Sequence, residues 1–99
     1  MQSELKIIFM PEIFRLYGFS FFFYCREHYP IHVHVEGKGG FAKFDLDGQN
    51  FVLKEYFGIK AGDLRRIKEA VDANKDCIID FWVKIFESDD ENSENLVRR

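Results

Sequence analysis

The three histidines of the chain, His28, His32 and His34, lie within seven consecutive residues. Imidazole nitrogens bind zinc and similar divalent ions at about 2 Å, and they exchange protons near neutral pH. Side chains two positions apart on a β-strand point to the same face about 7 Å apart, so His32 and His34 can share one ion. His28 precedes them in a turn and can reach the same point. The segment predicts a divalent metal site, for example for zinc, with these three residues as ligands and Glu36 or Cys25 as a fourth group.

The same residues support two other interpretations. As candidate catalytic groups, His32 and His34 can act as base and acid in phosphodiester cleavage, with His28 nearby and Arg26 or Lys43 holding the phosphate. As ordinary structural residues, the imidazoles stack on neighbouring aromatic rings or bond to backbone carbonyls. The sequence leaves all three interpretations open, and with them the question of whether the protein is an enzyme.

The elements around the histidines indicate an antiparallel β-meander. In residues 31–36 the aliphatic side chains alternate with His32, His34 and Glu36, which is the period of a strand with one apolar face. We predict three to four strands, joined by a glycine-rich loop at 37–40 and a tight turn at Asp47-Gly48. The aromatic segment 16–26 reads as one strand with Gly18 as a bulge.

A change of period predicts two helices after the meander. Apolar residues follow helical spacing from Gly62-Asp63, which offers an N-cap, and again after Asn74 or Asp76. The second stripe includes Trp82 and Phe86, which we expect in the core. The predicted fold class is therefore α+β, with two C-terminal helices packed against the sheet.

Length and composition indicate one small domain. The 99 residues predict an N-terminal extension or edge strand at 1–9, a single domain at 10–87 and a disordered acidic tail at 88–99. The net charge of -3 gives no overall attraction to nucleic acid. The neighbours of Cys25 and Cys77 are apolar, so we expect buried free thiols in a reducing compartment. With no long apolar segment and no leader, we expect a cytoplasmic protein without a membrane partner.

Several motifs resemble a small bacterial family. They are Pro11-x-Ile13, Arg15-x-x-Gly18 and Glu27-His28-x-Pro30-x-His32-x-His34, followed by a meander and a helix pair. The family is catalogued only as a domain of unknown function, number four-one-six-zero, and the resemblance covers roughly residues 10–87. It implies that residues 1–9 are an extension and that the three histidines are the candidate functional residues. Its genes are sometimes assigned to toxin–antitoxin-like pairs, which implies a protein partner.

Three functional hypotheses follow from the residues and the resemblance. The first is a protein-interaction module, in a homodimer or with a protein partner such as the other member of a toxin–antitoxin-like pair. The second is a nuclease or phosphodiesterase that uses His32 and His34. The third is a structural metal-binding domain. Arg65, Arg66 and Lys68 on the first helix also leave nucleic acid open as a partner.

Overall fold

The computed structural model describes residues 10–88, which form a five-stranded antiparallel sheet followed by helices. The strands lie side by side in chain order: β1 (Glu12–Leu16), β2 (Phe19–Phe22), β3 (His32–Gly37), β4 (Gly40–Asp47) and β5 (Asn50–Phe57). The predicted extension at 1–9 and, apart from Ser88, the predicted tail lie outside the described residues. No helix within residues 10–88 is long and apolar enough to cross a membrane.

The predicted number of strands is wrong because the aromatic segment 16–26 contains a hairpin turn. Tyr17 and Gly18 both have positive φ, 57° and 82°, as a type I′ turn requires. The chain therefore reverses at Gly18 instead of bulging there. This turn separates β1 from β2 and gives five strands in place of three to four, while the α+β class is confirmed.

The other two hairpins are also tight. Gly37 pairs with Gly40 across a two-residue turn in which Lys38 and Gly39 have φ of 52° and 82°. Asp47 pairs with Asn50, so the turn residues are Gly48, with φ of 70°, and Gln49, and the turn lies one residue later than the predicted Asp47-Gly48. Each turn fixes the register of its strands, so the face that every strand residue occupies follows from the pairing.

Two helices and a final π-helical turn follow the sheet: α1 (Ala61–Ala73), α2 (Lys75–Trp82) and the turn Val83–Ser88. The helix α1 begins one residue before the predicted cap at Gly62-Asp63, and its N-cap residue, Lys60, makes no side-chain capping bond. Asn74 is the C-cap of α1, because its backbone leaves the helical conformation with φ of −111° and ψ of 22°, and its side-chain Nδ2 donates to Ala70 O. The predicted helix break at this asparagine is confirmed.

Within residues 10–88 the helices pack mainly against one face of the sheet, the helix-covered face, and we call the opposite face the open face. The core contains alternate residues of β2, β3 and β4 together with apolar residues of the helices, among them Phe19, Phe21, Val33, Val35, Phe44, Ile67, Val71, Ile78 and Trp82. The predicted core position of Trp82 is confirmed, and Phe86 packs against the core partly buried. The expectation of buried thiols is wrong, because Cys25 and Cys77 are both exposed.

Candidate functional site

Strand β3 places His32 and His34 side by side, on the opposite side of the strand from Val33, and the His32 ring also packs against Trp82 of α2 with ring centroids 5.4 Å apart. The ring centroids of His32 and His34 lie 5.0 Å apart, while Val33 between them enters the core. Phe22, the cross-strand partner of His34, stacks on the His34 ring at 5.6 Å, and the Tyr24 ring lies 4.2 Å from it. Aromatic walls therefore shield this imidazole from water and hold its orientation.

The connection between β2 and β3 brings a carboxylate to the two histidines. Glu27 Oε2 accepts a hydrogen bond of 2.6 Å from the Tyr24 N–H, which folds the connection back over β3. Glu27 Oε1 lies 2.6 Å from His32 Nε2, and Oε2 lies 3.2 Å from His34 Nε2. The side chains are 4%, 8% and 14% exposed for Glu27, His32 and His34, so this carboxylate meets the imidazoles away from bulk water.

The hydrogen bonds of His32 define its protonation. Its Nδ1 lies 2.7 Å from Pro30 O, and a carbonyl oxygen can only accept, so Nδ1 carries a proton. Its Nε2 faces a Glu27 oxygen, which also accepts when the carboxylate is ionised. His32 is then an imidazolium. Burial lowers its pKa, but the hydrogen bonds to Glu27 and Pro30 outweigh burial, and the pKa is raised above its usual value.

The pKa of Glu27 moves in the complementary direction. Burial of the carboxyl raises its pKa, because it disfavours the charged form. Hydrogen bonds from His32 and the Tyr24 N–H, together with the close approach of His34 Nε2 at 3.2 Å, favour the carboxylate more strongly, and they lower the pKa to about 2. Glu27 and His32 thus form a buried ion pair in which each partner stabilises the charge of the other.

The Nε2 atom of His34 is less well satisfied. It is buried and has no hydrogen-bond partner in the described chain, because its approach to Glu27 Oε2 at 3.2 Å lacks hydrogen-bond geometry. Glu27, His32 and His34 can each offer one ligand atom, and these three atoms all lie within 4.8 Å of one another. Two imidazole nitrogens and a carboxylate oxygen are a ligand set that transition metals accept. We call these three residues the Glu-His-His cluster.

The other residues that the sequence suggested lie around this cluster. His28 is exposed, and its ring centroid lies 6.5 Å from that of His32. Cys25 and Glu36 are exposed, and neither belongs to the cluster. Lys43 is the cross-strand partner of His34, and its Nζ lies 3.7 Å from Asp45 Oδ1. The structure brings His32 and His34 together, and it does not bring His28 into the same group.

Glu27 is the member of the cluster that sequence reasoning missed. It lies in a turn, where no periodicity indicates the direction of a side chain. Its signal was its place in the Glu27-His28-x-Pro30-x-His32-x-His34 motif, five residues before His32. The fold of the connection, and not the strand period, carries its carboxylate over β3.

Comparison with known proteins identifies the family. No curated protein and no solved structure matches the chain. Residues 18–83, two thirds of the chain, match the family described as "Domain of unknown function (DUF4160)". The matched region contains the whole Glu-His-His cluster, strands β2 to β5 and both helices. The chain belongs to the DUF4160 family.

Proposed function

We propose that this domain binds one divalent transition-metal ion of the zinc class through Glu27, His32 and His34. The observation that carries the proposal is the convergence of one ligand atom from each residue within 4.8 Å, in a buried setting. The carboxylate and the imidazoles come from separate elements, the β2–β3 connection and β3. An ion at this point would tie the connection to the sheet, which is the role of a structural metal.

The distances between the rings suit tetrahedral coordination. With metal–nitrogen bonds of about 2.0 Å, two tetrahedral ligand atoms lie about 3.3 Å apart, and two coordinating imidazoles have ring centroids about 5.2 Å apart. The centroids of His32 and His34 are 5.0 Å apart, and His34 Nε2 is 3.2 Å from Glu27 Oε2. The 2.6 Å contact between Glu27 Oε1 and His32 Nε2 is about 0.7 Å shorter than this spacing, so it must open for a metal to enter.

The surroundings of His32 also suit a metal ligand. Metal-bound histidines usually donate their second ring N–H to a carbonyl or carboxylate, which fixes the tautomer and aims the other nitrogen at the ion. The bond from His32 Nδ1 to Pro30 O does this already and leaves Nε2 directed at Glu27. Three protein ligands leave a fourth position for water.

The acid–base hypothesis receives less support from this geometry. A general base must reach the proton of a substrate, whereas the Nε2 atoms of His32 and His34 both face Glu27 and the Nδ1 of His32 is bonded to Pro30 O. Protein interaction, with a second copy or a toxin–antitoxin-like partner, is compatible with metal binding.

The test is a metal titration of the full-length protein after removal of metal with EDTA. We expect one equivalent of Zn²⁺ to bind, and Co²⁺ to give the intense visible absorption of a tetrahedral site. His34→Ala should weaken binding by about 10-fold to 100-fold or more, because it removes a ligand without touching the His32–Glu27 ion pair.

The matched control is His28→Ala, which removes a neighbouring exposed imidazole outside the cluster. It should leave Zn²⁺ stoichiometry at one and preserve most of the affinity. Wild-type protein that binds Zn²⁺ no more tightly than the His34→Ala variant would overturn the proposal.

A further inference from the structure

Strand β5 forms an edge of the sheet and presents apolar side chains to solvent. Among residues 10–88 it pairs only with β4, so its outer N–H and C=O groups face away from the sheet. Val52, Tyr56 and Phe57 on this strand are 38%, 54% and 65% exposed. An eight-residue edge with exposed apolar side chains is a template for pairing with another strand.

A β-bulge gives β5 an unusual distribution of side chains between the two faces. Leu53 pairs with Phe44 and Glu55 pairs with Lys43, so Lys54 is the extra residue. Val52 and Phe57 both pair with residues of the open face, although an unbroken strand would place residues five apart on opposite faces.

The helix-covered face shows the same effect. Leu53 and Tyr56 pair with Phe44 and Ala42, which both point into the core. Leu53 and Tyr56 therefore share a face, again because of the bulge between them. Each face of β5 consequently carries at least one apolar residue on either side of the Lys54-Glu55 step.

We propose that β5 pairs antiparallel with β5 of a second copy, about a two-fold axis between Lys54 and Glu55. Directly opposed residues then have numbers that add to 109. Val52 lies opposite Phe57 of the partner subunit, and Leu53 lies opposite Tyr56 of the partner subunit. Both pairs join residues of the same face, as strand pairing requires, and the two five-stranded sheets become one ten-stranded sheet.

Charge complementarity supports a second copy as the occupant. At the centre of this pairing, Lys54 lies opposite Glu55 of the partner subunit, and the two-fold axis repeats the pair. The exposed apolar residues of the strand all find apolar partners in this register. The opposite edge, β1, has only five residues and carries the Glu12–Arg15 ion pair, features that discourage edge pairing.

The test measures the mass of the full-length protein by sedimentation over a wide concentration range. We expect a reversible dimer of twice the 11.8 kDa chain mass. Lys54→Glu puts a carboxylate at position 54 opposite Glu55 of the partner subunit, and the two-fold axis repeats this repulsive pair. It should therefore weaken dimerisation by about tenfold or more. The control is Arg65→Glu, which makes the same charge change at an exposed position of α1 and should leave the dimer unchanged.

The charge-swapped double variant Lys54→Glu/Glu55→Lys tests the register. It should restore dimerisation to within about threefold of wild type. The swapped charges face each other as opposite charges only if residue 54 of one subunit lies opposite residue 55 of the other. Circular dichroism checks that each variant is folded. A wild-type protein that stays at 11.8 kDa overturns the proposal, and so does a folded double variant that does not recover the dimer. Zn²⁺ binding is measured separately and does not depend on either result.

Discussion

Replacement of Glu27 by glutamine should destabilise the metal-free protein and remove part of its acid sensitivity. Glu27→Gln keeps the shape of the side chain but removes the charge that His32 faces at 2.6 Å. The pKa of Glu27 is lowered from 4.5 to about 2. Lowering the pKa from 4.5 to about 2 corresponds to about 3 to 4 kcal/mol of stability at neutral pH, at about 1.4 kcal/mol per pKa unit.

The direction of the pH dependence follows from the lowered pKa. A carboxyl with a lower pKa in the folded state contributes stability above its unfolded value of 4.5, and this stability is lost as the pH falls from 4.5 toward 2. About 1 kcal/mol should remain at pH 3. The glutamine amide can still bond to one ring, so we expect the variant to lose about 1 to 3 kcal/mol at pH 7 and less at pH 3.

Urea unfolding with EDTA present measures this difference without a contribution from metal. Glu36→Gln is the control, because it removes an exposed carboxylate from the same strand face as His32 and His34. It should change the free energy of unfolding by less than about 0.5 kcal/mol. A Glu27→Gln variant as stable as this control at pH 7 would refute the buried ion pair, and so would a loss that does not diminish at pH 3.

Two further predictions concern metal binding and the packing of two glycines. Zn²⁺ binding at neutral pH should release about one proton, because the ion displaces the proton on His32 Nε2, which is hydrogen-bonded to Glu27. Calorimetry in buffers of different ionisation enthalpy measures the number of protons released. Release of no proton would contradict the assignment of His32 as an imidazolium. Gly40→Ala should cost about 1 to 3 kcal/mol in urea unfolding, because an added Cβ would overlap Gly58 O. Gly62→Ala in α1 meets no such contact and should stabilise the protein by up to about 1 kcal/mol. Equal effects of the two substitutions on the free energy of unfolding would contradict this packing.

The strand that carries the histidines was predictable because its signal is local. Alternation of aliphatic and polar residues in 31–36 defines a strand with two faces, and it places His32 and His34 together without knowledge of the rest of the fold. The helix break at Asn74 was equally local, since its side-chain Nδ2 donates to Ala70 O at the end of the helix.

The turn at Tyr17-Gly18 was missed because aromatic residues on both sides of it suit a continuous strand. Positive φ is rare for a tyrosine, so the pair gives a weaker turn signal than Asp47-Gly48. Glu27 was missed as a site residue for a different reason. Its position depends on how the β2–β3 connection is anchored at its ends, by bonds from Phe23 N–H to Pro11 O and from Leu46 N–H to Ile31 O. Such distant contacts leave no periodic trace in the sequence.

The hydrogen-bonding capacity of the Glu-His-His cluster favours a metal over protons alone. One proton on His32 Nε2 satisfies that atom and Glu27 Oε1, but it leaves the buried Nε2 of His34 without a hydrogen bond among the described residues. A proton on His34 Nε2, in the neutral Nε2–H tautomer, would face Glu27 Oε2 at an unfavourable angle. A divalent ion would satisfy a ligand atom on each residue at once, because coordination aims both nitrogens and one oxygen at a single point. The metal hypothesis therefore makes its strongest prediction at His34 Nε2, because protons satisfy the hydrogen-bonding capacity of this atom least well.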